Sequence, residues 1–142
     1  DYVKAQKIPG PKKVRKRAPT RFLNERWQIP PGIGAQNVND VMTLMAGDKR
    51  LDIIKSGAGG WNVQTARAGS SVGWFTGAWG EKLPGAVLLR PVPLSVKGGD
   101  QVLVTVLVPR VDGENVPVVI DANGVTITRG GMTITTPLPV PS

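Results

Sequence analysis

The stretch QVLVTVLVPRVDGENVPVVIDANGVTITRGGMTITT, residues 101–136, decides the fold. Short runs of β-branched and apolar residues alternate in it with turn residues about every eight to twelve positions, which is typical of antiparallel sheets. Residues 101–108 form the longest apolar run, and we expect a strand at the centre of a sheet that ends at Pro109. This part of the chain therefore predicts an all-β protein.

Three further strands follow that run, and we expect them to form a meander. They span residues 116–121, 125–128 and 132–136. Asn123-Gly124 favours a hairpin with a type I′ turn, and the glycine pair at residues 130–131 favours a second turn. Residues 137–142 contain three prolines and are expected to be an extended C-terminal extension.

The remaining segments are less regular. Residues 51–55 and 86–96 predict strands, and Pro91 and Pro93 in the second of them indicate an edge position or a bulge. Residues 37–46 fit a short helix and an apolar strand equally well, because about ten residues do not settle the period. Taken with the meander, the spacing predicts a β-sandwich or jelly-roll-like domain.

The predicted domain spans residues 27–136 and includes a glycine-rich region. Residues 56–85 hold eight glycines and show no clear period, so we expect mostly loop there. The loop Gly57-Ala58-Gly59-Gly60 lacks the Gly-Lys-Ser/Thr of a phosphate-binding loop. The acidic residues show no calcium-binding spacing, so no metal or cofactor site is predicted.

Positive charge is concentrated at the N-terminus. The chain has a formal net charge of +8, and residues 1–27 carry nine basic and two acidic side chains, a net +7. Three prolines interrupt residues 1–20, and their apolar content is low. Such a segment does not bury enough surface to order itself. Residues 1–26 are therefore predicted to be an extended basic arm.

The arm contains a dense basic cluster that indicates a partner. The cluster consists of Lys12, Lys13, Arg15, Lys16 and Arg17. It fits an acidic patch on a neighbouring subunit, which we favour, or the phosphates of a nucleic acid. Because the cluster contains no aromatic residue, a nucleic acid would be bound without sequence specificity.

Several kinds of chemistry are excluded by composition. The chain has no cysteine and no histidine, so disulfides, thiol nucleophiles and histidine-based catalysis are excluded. No apolar run is long enough for a transmembrane helix. The sequence starts at Asp1, as expected after processing or for a piece of a longer chain. We predict a protein that is not an enzyme.

Four tryptophans stand out in a chain with few aromatic residues. They are Trp27, Trp61, Trp74 and Trp79. Tryptophan is enriched in cores and at protein interfaces, and we expect these residues to anchor the core or a subunit interface. A platform for stacking sugars is the alternative.

Four short motifs resemble the glycine-rich minor tail proteins of phages that infect actinobacteria. They are WQIPPG at residues 27–32, LDIIK at 51–55, SGAGGW at 56–61 and the strand pair LSVKGGDQVLVTV at 94–106. The resemblance implies a virion component of the tail tip or fibre, usually a symmetric oligomer, and it implies no catalytic residues. This chain has fewer glycines after Trp61 than that family usually has.

The sequence therefore predicts a structural protein of a virus particle. We expect a phage tail subunit that contacts other virion proteins through its arm and its C-terminal extension. The alternative is a small jelly-roll capsid or head protein whose arm contacts packaged nucleic acid. A cellular nucleic-acid module is disfavoured, because residues 28–142 carry nine basic and eight acidic side chains, a net charge of only +1. No carboxylate pair suggests a glycan hydrolase.

Overall fold

The structure is a computed structural model, and it describes residues 21–94 and 100–140. Within these ranges every regular element is a β-strand and there is no helix, which confirms the all-β prediction. The strands are β1 Phe22–Ile29, β2 Gly34–Val38, β3 Val41–Ala46, β4 Lys49–Lys55, β5 Asn62–Thr65, β6 Trp74–Thr76, β7 Lys82–Pro84, β8 Ala86–Pro93, β9 Thr105–Val111, β10 Val118–Asp121, β11 Gly124–Arg129 and β12 Met132–Thr136.

The strands form four antiparallel sheets among the described residues. One sheet has the order β1-β8-β5, a second has the order β2-β3-β4-β9, and a third is the meander β10-β11-β12. The strands β6 and β7 pair only with each other. The predicted C-terminal meander is therefore present, and its last strand has the predicted bounds, residues 132–136.

The first strand begins earlier than the sequence indicated. Phe22 lies opposite Pro93 and Ile29 lies opposite Ala86, so all of β1 pairs with β8. Residues 22–26, which were assigned to the basic arm, are the first part of this strand. The domain therefore begins at Phe22 and not at Trp27, because pairing with β8 compensates for the polar composition of these residues.

The prolines of β8 lie where the strand has only one neighbour. The N–H of Leu94 donates to the carbonyl of Arg21 at 2.9 Å. Because strand residues alternate, the nitrogens of Pro91 and Pro93 point away from β1. On that side β5 pairs only with residues 86–89, so neither proline removes a sheet hydrogen bond. The predicted edge position is therefore correct for the second half of β8. Its first half lies between β1 and β5, at the centre of the sheet.

Residues 37–46 contain a turn and part of a β-hairpin, so the helix alternative is wrong. The strands β2 and β3 are joined by Asn39 and Asp40, whose φ angles are 50° and 65°. Asparagine and aspartate tolerate this left-handed conformation better than other non-glycine residues, and two such residues in succession fit a type I′ turn. Met42, the second residue of β3, is fully buried.

The longest apolar run does not form a central strand. Only its second half belongs to β9, Thr105–Val111, which lies at the edge of its sheet beside β4. Pro109 lies within the strand and does not end it. The N–H of Asp112 donates to the carbonyl of Asp48, and by alternation the nitrogen of Pro109 points to the open edge. The missing N–H therefore costs no sheet hydrogen bond.

The hairpin between β10 and β11 differs from the prediction by one residue. Its loop consists of Ala122 and Asn123, and neither has a positive φ, so the predicted type I′ turn is wrong. Gly124 opens β11 with a φ of 135°, and a Cβ atom there would lie 2.1 Å from the carbonyl oxygen of Thr136. The glycine is required by this close approach. The second turn, Gly130-Gly131, is as predicted.

One hydrophobic core joins the two larger sheets. It contains residues from β1 and β8 on one side and from β3 and β4 on the other: Ile29, Met42, Ile53, Ala86 and Leu88, together with Trp61. The first three and Leu88 are fully buried, so their packing supplies much of the hydrophobic stabilisation.

Candidate interaction surfaces

The most buried charge in the described structure belongs to Arg90 on β8, whose side chain is fully buried. Its Nη1 donates to Oε2 of Glu25 at 3.1 Å. Its Nη2 donates to the carbonyl of Ser56 and, at 3.3 Å, to that of Ala58. A planar guanidinium offers several fixed donors, so this one side chain connects β1 with the glycine-rich loop after β4.

Glu25 extends this network to two other elements. Its Oε1 accepts hydrogen bonds from Trp27 Nε1 at 3.0 Å and from Thr105 Oγ1 at 2.8 Å. Thr105 opens β9, so the carboxylate connects the first sheet to the second. The Cζ of Arg90 also lies 6.0 Å from the ring centroid of Trp61, within range of a cation–π contact. We call Arg90, Glu25, Trp27, Trp61 and Thr105 the arginine hub.

The arginine hub places two of the four tryptophans inside the fold. Trp61 is buried in the core, and half-buried Trp27 packs against it. Trp61 is therefore a core residue, whereas Trp27 keeps part of its side chain exposed. The sequence analysis missed Arg90. The available signal was a single charge within an otherwise apolar strand, which calls for a buried counter-charge.

A second ion pair lies in the middle of the four-stranded sheet. Asp52 on β4 accepts hydrogen bonds from Arg110 Nε at 2.6 Å, Arg110 Nη2 at 3.1 Å and Thr43 Oγ1 at 2.7 Å. Burial pushes the pKa of Asp52 upward, but the hydrogen bonds from Arg110 and Thr43 and the charge of Arg110 outweigh it. The pKa therefore lies below the ordinary value of an aspartate.

The short hairpin of β6 and β7 presents the other two tryptophans. The indole N–H of half-buried Trp74 donates to the carbonyl of Ser70 at 2.8 Å. At the base of the hairpin, Gly85 leaves no room for a side chain, because a Cβ there would lie 2.6 Å from Phe75 and 2.5 Å from the carbonyl of Ile29. The hairpin is therefore closely packed where it meets β1.

Trp79 lies at the tip of this hairpin and is fully exposed, with a relative accessibility of 103%. The tip is an organised turn. The N–H of Glu81 donates to the carbonyl of Ala78 at 3.0 Å, and Glu81 Oε2 accepts from the N–H of Ala78 at 3.1 Å. A core position for Trp79 is therefore wrong, and a partner contact is the remaining part of that prediction.

An apolar groove opens near the end of β1. Leu44 and Leu51 are a cross-strand pair on the same face of β3 and β4 as Met42 and Ile53, and they line the groove together with Pro30, which follows the last residue of β1. The groove has a volume of about 290 Å³. Its walls are almost wholly apolar, and its lining includes Pro30, Ile33, Leu44, Ala46, Lys49 and Leu51. It is an uncovered extension of the core.

The outer strand of the meander is also uncovered. Every residue of β12 is exposed, with relative accessibilities of 71% for Met132 and 66% for Ile134. Among residues 21–94 and 100–140 only β11 pairs with it, so its other edge is open in this part of the chain. The strand contains no charge, no proline and no bulge, the usual protections of an edge strand.

The predicted contact residues of the arm, Lys12, Lys13, Arg15, Lys16 and Arg17, lie outside the described residues, as does the end of the C-terminal extension, residues 141–142. In the described part of the chain no three metal-ligating side chains come together. Within residues 21–94 and 100–140 no helix is long and apolar enough to cross a membrane. No protein-family model, no curated protein and no solved structure matches the chain.

We predict that Glu25→Gln destabilises the fold by about 3 kcal/mol, because it leaves the buried guanidinium of Arg90 without a counter-charge. The measurement is the free energy of unfolding in urea. The matched control is Asp48→Asn, which removes an exposed ion pair with Lys49 and should change stability little. Equal, small effects of the two substitutions would contradict a stabilising role for the hub.

We predict that Asp52→Asn flattens the acid side of the stability profile. Since folding lowers the pKa of Asp52, its contribution is fully present above the unfolded pKa of about 3.9 and is lost as the pH falls through the lower folded value. Unfolding free energies from pH 2 to pH 7 should fall less steeply at low pH in the variant. Parallel profiles would show that Asp52 is not linked to folding.

Proposed function

We propose that the chain is a non-enzymatic structural subunit of a virus particle, a phage tail protein that assembles with copies of itself and with other virion proteins. The observation that carries the proposal is Trp79, a fully exposed tryptophan on an organised turn. Tryptophan carries a large apolar surface, and it is enriched among the residues that dominate the binding energy of interfaces. The turn holds this one ready for a partner.

The groove at the end of β1 matches Trp79 in size and chemistry. Its apolar floor and its volume of about 290 Å³ suit an indole ring. The two basic side chains at the groove, Lys49 and Arg50, already pair with Asp48 and Asp112, so the match to Trp79 rests on apolar contact and volume. We therefore assign the groove of a neighbouring copy as the site that receives Trp79.

The fold that we propose for the subunit is a β-sandwich. Residues of β1 and β8 face residues of β3 and β4 across one core, which supports two packed sheets. A jelly roll is less well supported, because β2, β3 and β4 follow one another as neighbours in one sheet and the opposite sheet has only three strands.

We predict that Trp79→Ala lowers the mean mass of the assembled protein in sedimentation while leaving its unfolding free energy unchanged, because the ring has no contact in the monomer. Trp79→Phe is the control that keeps an aromatic anchor and should retain assembly. Ala46→Arg, which fills the exposed mouth of the groove, should also lower the mass.

Mixing provides the decisive measurement for this contact. Trp79→Ala retains the groove, and Ala46→Arg retains the tryptophan. In a mixture, Trp79 of the Ala46→Arg variant can therefore bind the groove of the Trp79→Ala variant. The mixture should recover larger species than either variant alone. A mixture that behaves as the average of its components would refute the contact, and a wild-type chain that is monomeric at all concentrations would refute the function.

The second candidate function is a capsid or head protein whose arm contacts packaged nucleic acid. It is favoured by the net charge of +7 in residues 1–27. Under the tail proposal, the full chain and a chain without residues 1–20 should bind random duplex DNA equally weakly at about 0.15 M salt. Tight binding that disappears with the arm would instead favour the second candidate.

A further inference from the structure

The free edge of β12 has the composition and the geometry of a strand that pairs with its own copy. Gly130 and Gly131 form a two-residue turn, so Arg129 and Met132, which flank it, form a hydrogen-bonded pair. By alternation, Ile134 and Thr136 also bond inward to β11. The backbone groups of Thr133 and Thr135 then point outward at the open edge.

This outward pair defines one register for an antiparallel copy. With Ile134 opposite its equivalent in the copy, Thr133 of one chain lies opposite Thr135 of the other. The two symmetric Thr133–Thr135 pairs would be hydrogen-bonded pairs, and the central Ile134 pair would be non-hydrogen-bonded. The free backbone groups therefore match without a bulge or a shift.

The side chains continue their existing pattern across that junction. Within one chain, the hydroxyl oxygens of Thr126 and Thr135 are 2.9 Å apart, and those of Thr128 and Thr133 are 3.0 Å apart. The new Thr133–Thr135 pairs would extend this threonine ladder from one meander to the other. On the opposite face, Ile134 would gain an apolar neighbour, although it is now 66% exposed.

Charge does not oppose the approach of two copies at this edge. Residues 132–136 are uncharged, and no Lys or Glu lies in the strand. The exposed sides of β8 and β9 differ from this edge, because Pro91, Pro93 and Pro109 have no N–H to offer an incoming strand. Self-pairing is thus permitted at β12, where neither charge nor proline opposes it.

We propose that β12 pairs with β12 of a second copy about a two-fold axis through Ile134, forming a six-stranded sheet. This inference adds a specific contact to the proposed function. The choice of a second copy as the partner rests on that function. It uses a different surface from Trp79, so the two contacts fail separately. The expected unit is a closed dimer, because a two-fold contact uses the same edge in both chains.

The register can be tested by cysteine cross-linking, because the chain has no cysteine. Ile134→Cys places two thiols opposite each other in a non-hydrogen-bonded pair, where the Cα atoms lie about 4.5 Å apart and a disulfide can form. Thr136→Cys is the matched control on the same strand and face. Its partner in the copy is Met132, so Thr136→Cys should cross-link with Met132→Cys and not with itself.

The experiment is done under mild oxidation, in the full chain and again in the Trp79→Ala variant. We expect Ile134→Cys to give at least tenfold more covalent dimer than Thr136→Cys in both backgrounds. Equal cross-linking of the two variants, or none, would overturn the pairing. Cross-linking that persists in Trp79→Ala while larger species disappear would separate this dimer from the Trp79 contact.

A charge at the axis gives an independent measurement. Ile134→Lys puts two like charges directly opposite each other and should convert the dimer of the Trp79→Ala variant to a monomer. Met132→Lys, whose partner would be Thr136, should keep it. If both variants remain dimeric, or both become monomeric, the axis does not pass through Ile134.

Discussion

The fold depends on how one buried cation is neutralised. Arg90 has no exposed surface, and an unpaired charge in that position would cost more free energy than a small domain can spare. Glu25 supplies the counter-charge, and the carbonyls of the glycine-rich loop accept further hydrogen bonds from the guanidinium. Because Glu25 also binds Trp27 and Thr105, the same solution fixes where β1, β8 and β9 lie relative to one another.

This arrangement gives the glycine-rich loop a structural role. Carbonyls face the guanidinium only where the backbone turns tightly. A Cβ at Gly59 would lie 2.4 Å from the carbonyl oxygen of Pro91, and its φ of 99° favours glycine. The loop is therefore shaped around Arg90 and not around a phosphate. The proposed interaction surfaces lie elsewhere, at the exposed side chain of Trp79 and at the edge of β12 that β11 does not cover.

The sequence could predict the elements whose determinants are local. The strand β12 follows from alternating threonine and apolar residues after two glycines, and all of these act within a few positions. The hairpin of β2 and β3 was ambiguous because Asn39 and Asp40 support its turn without a glycine. Glu25, the partner of Arg90, lies 65 residues away in the sequence, and no local sequence pattern predicts a contact between residues so far apart.

The same limit applies to the candidate surfaces. Composition marks Trp61 and Trp79 as equally significant, yet one is buried and the other is fully exposed. The difference arises from tertiary structure, because Trp61 packs in the core beside Arg90 whereas Trp79 lies in the turn that joins β6 and β7. The groove forms where Pro30 and Ile33, after β1, meet Leu44 and Leu51 of the other sheet, and no local pattern predicts that meeting.

The prolines at the sheet margins have a consequence for fidelity during synthesis. In the proposed assembly many copies accumulate together, and an unprotected edge strand in each of them is a nucleus for fibrils. Pro91, Pro93 and Pro109 leave their margins unable to template another strand, so wrong stacking is suppressed there. In the proposed dimer the short edge of β12 is closed once two chains have paired, so this edge would give a finite assembly and not a growing sheet.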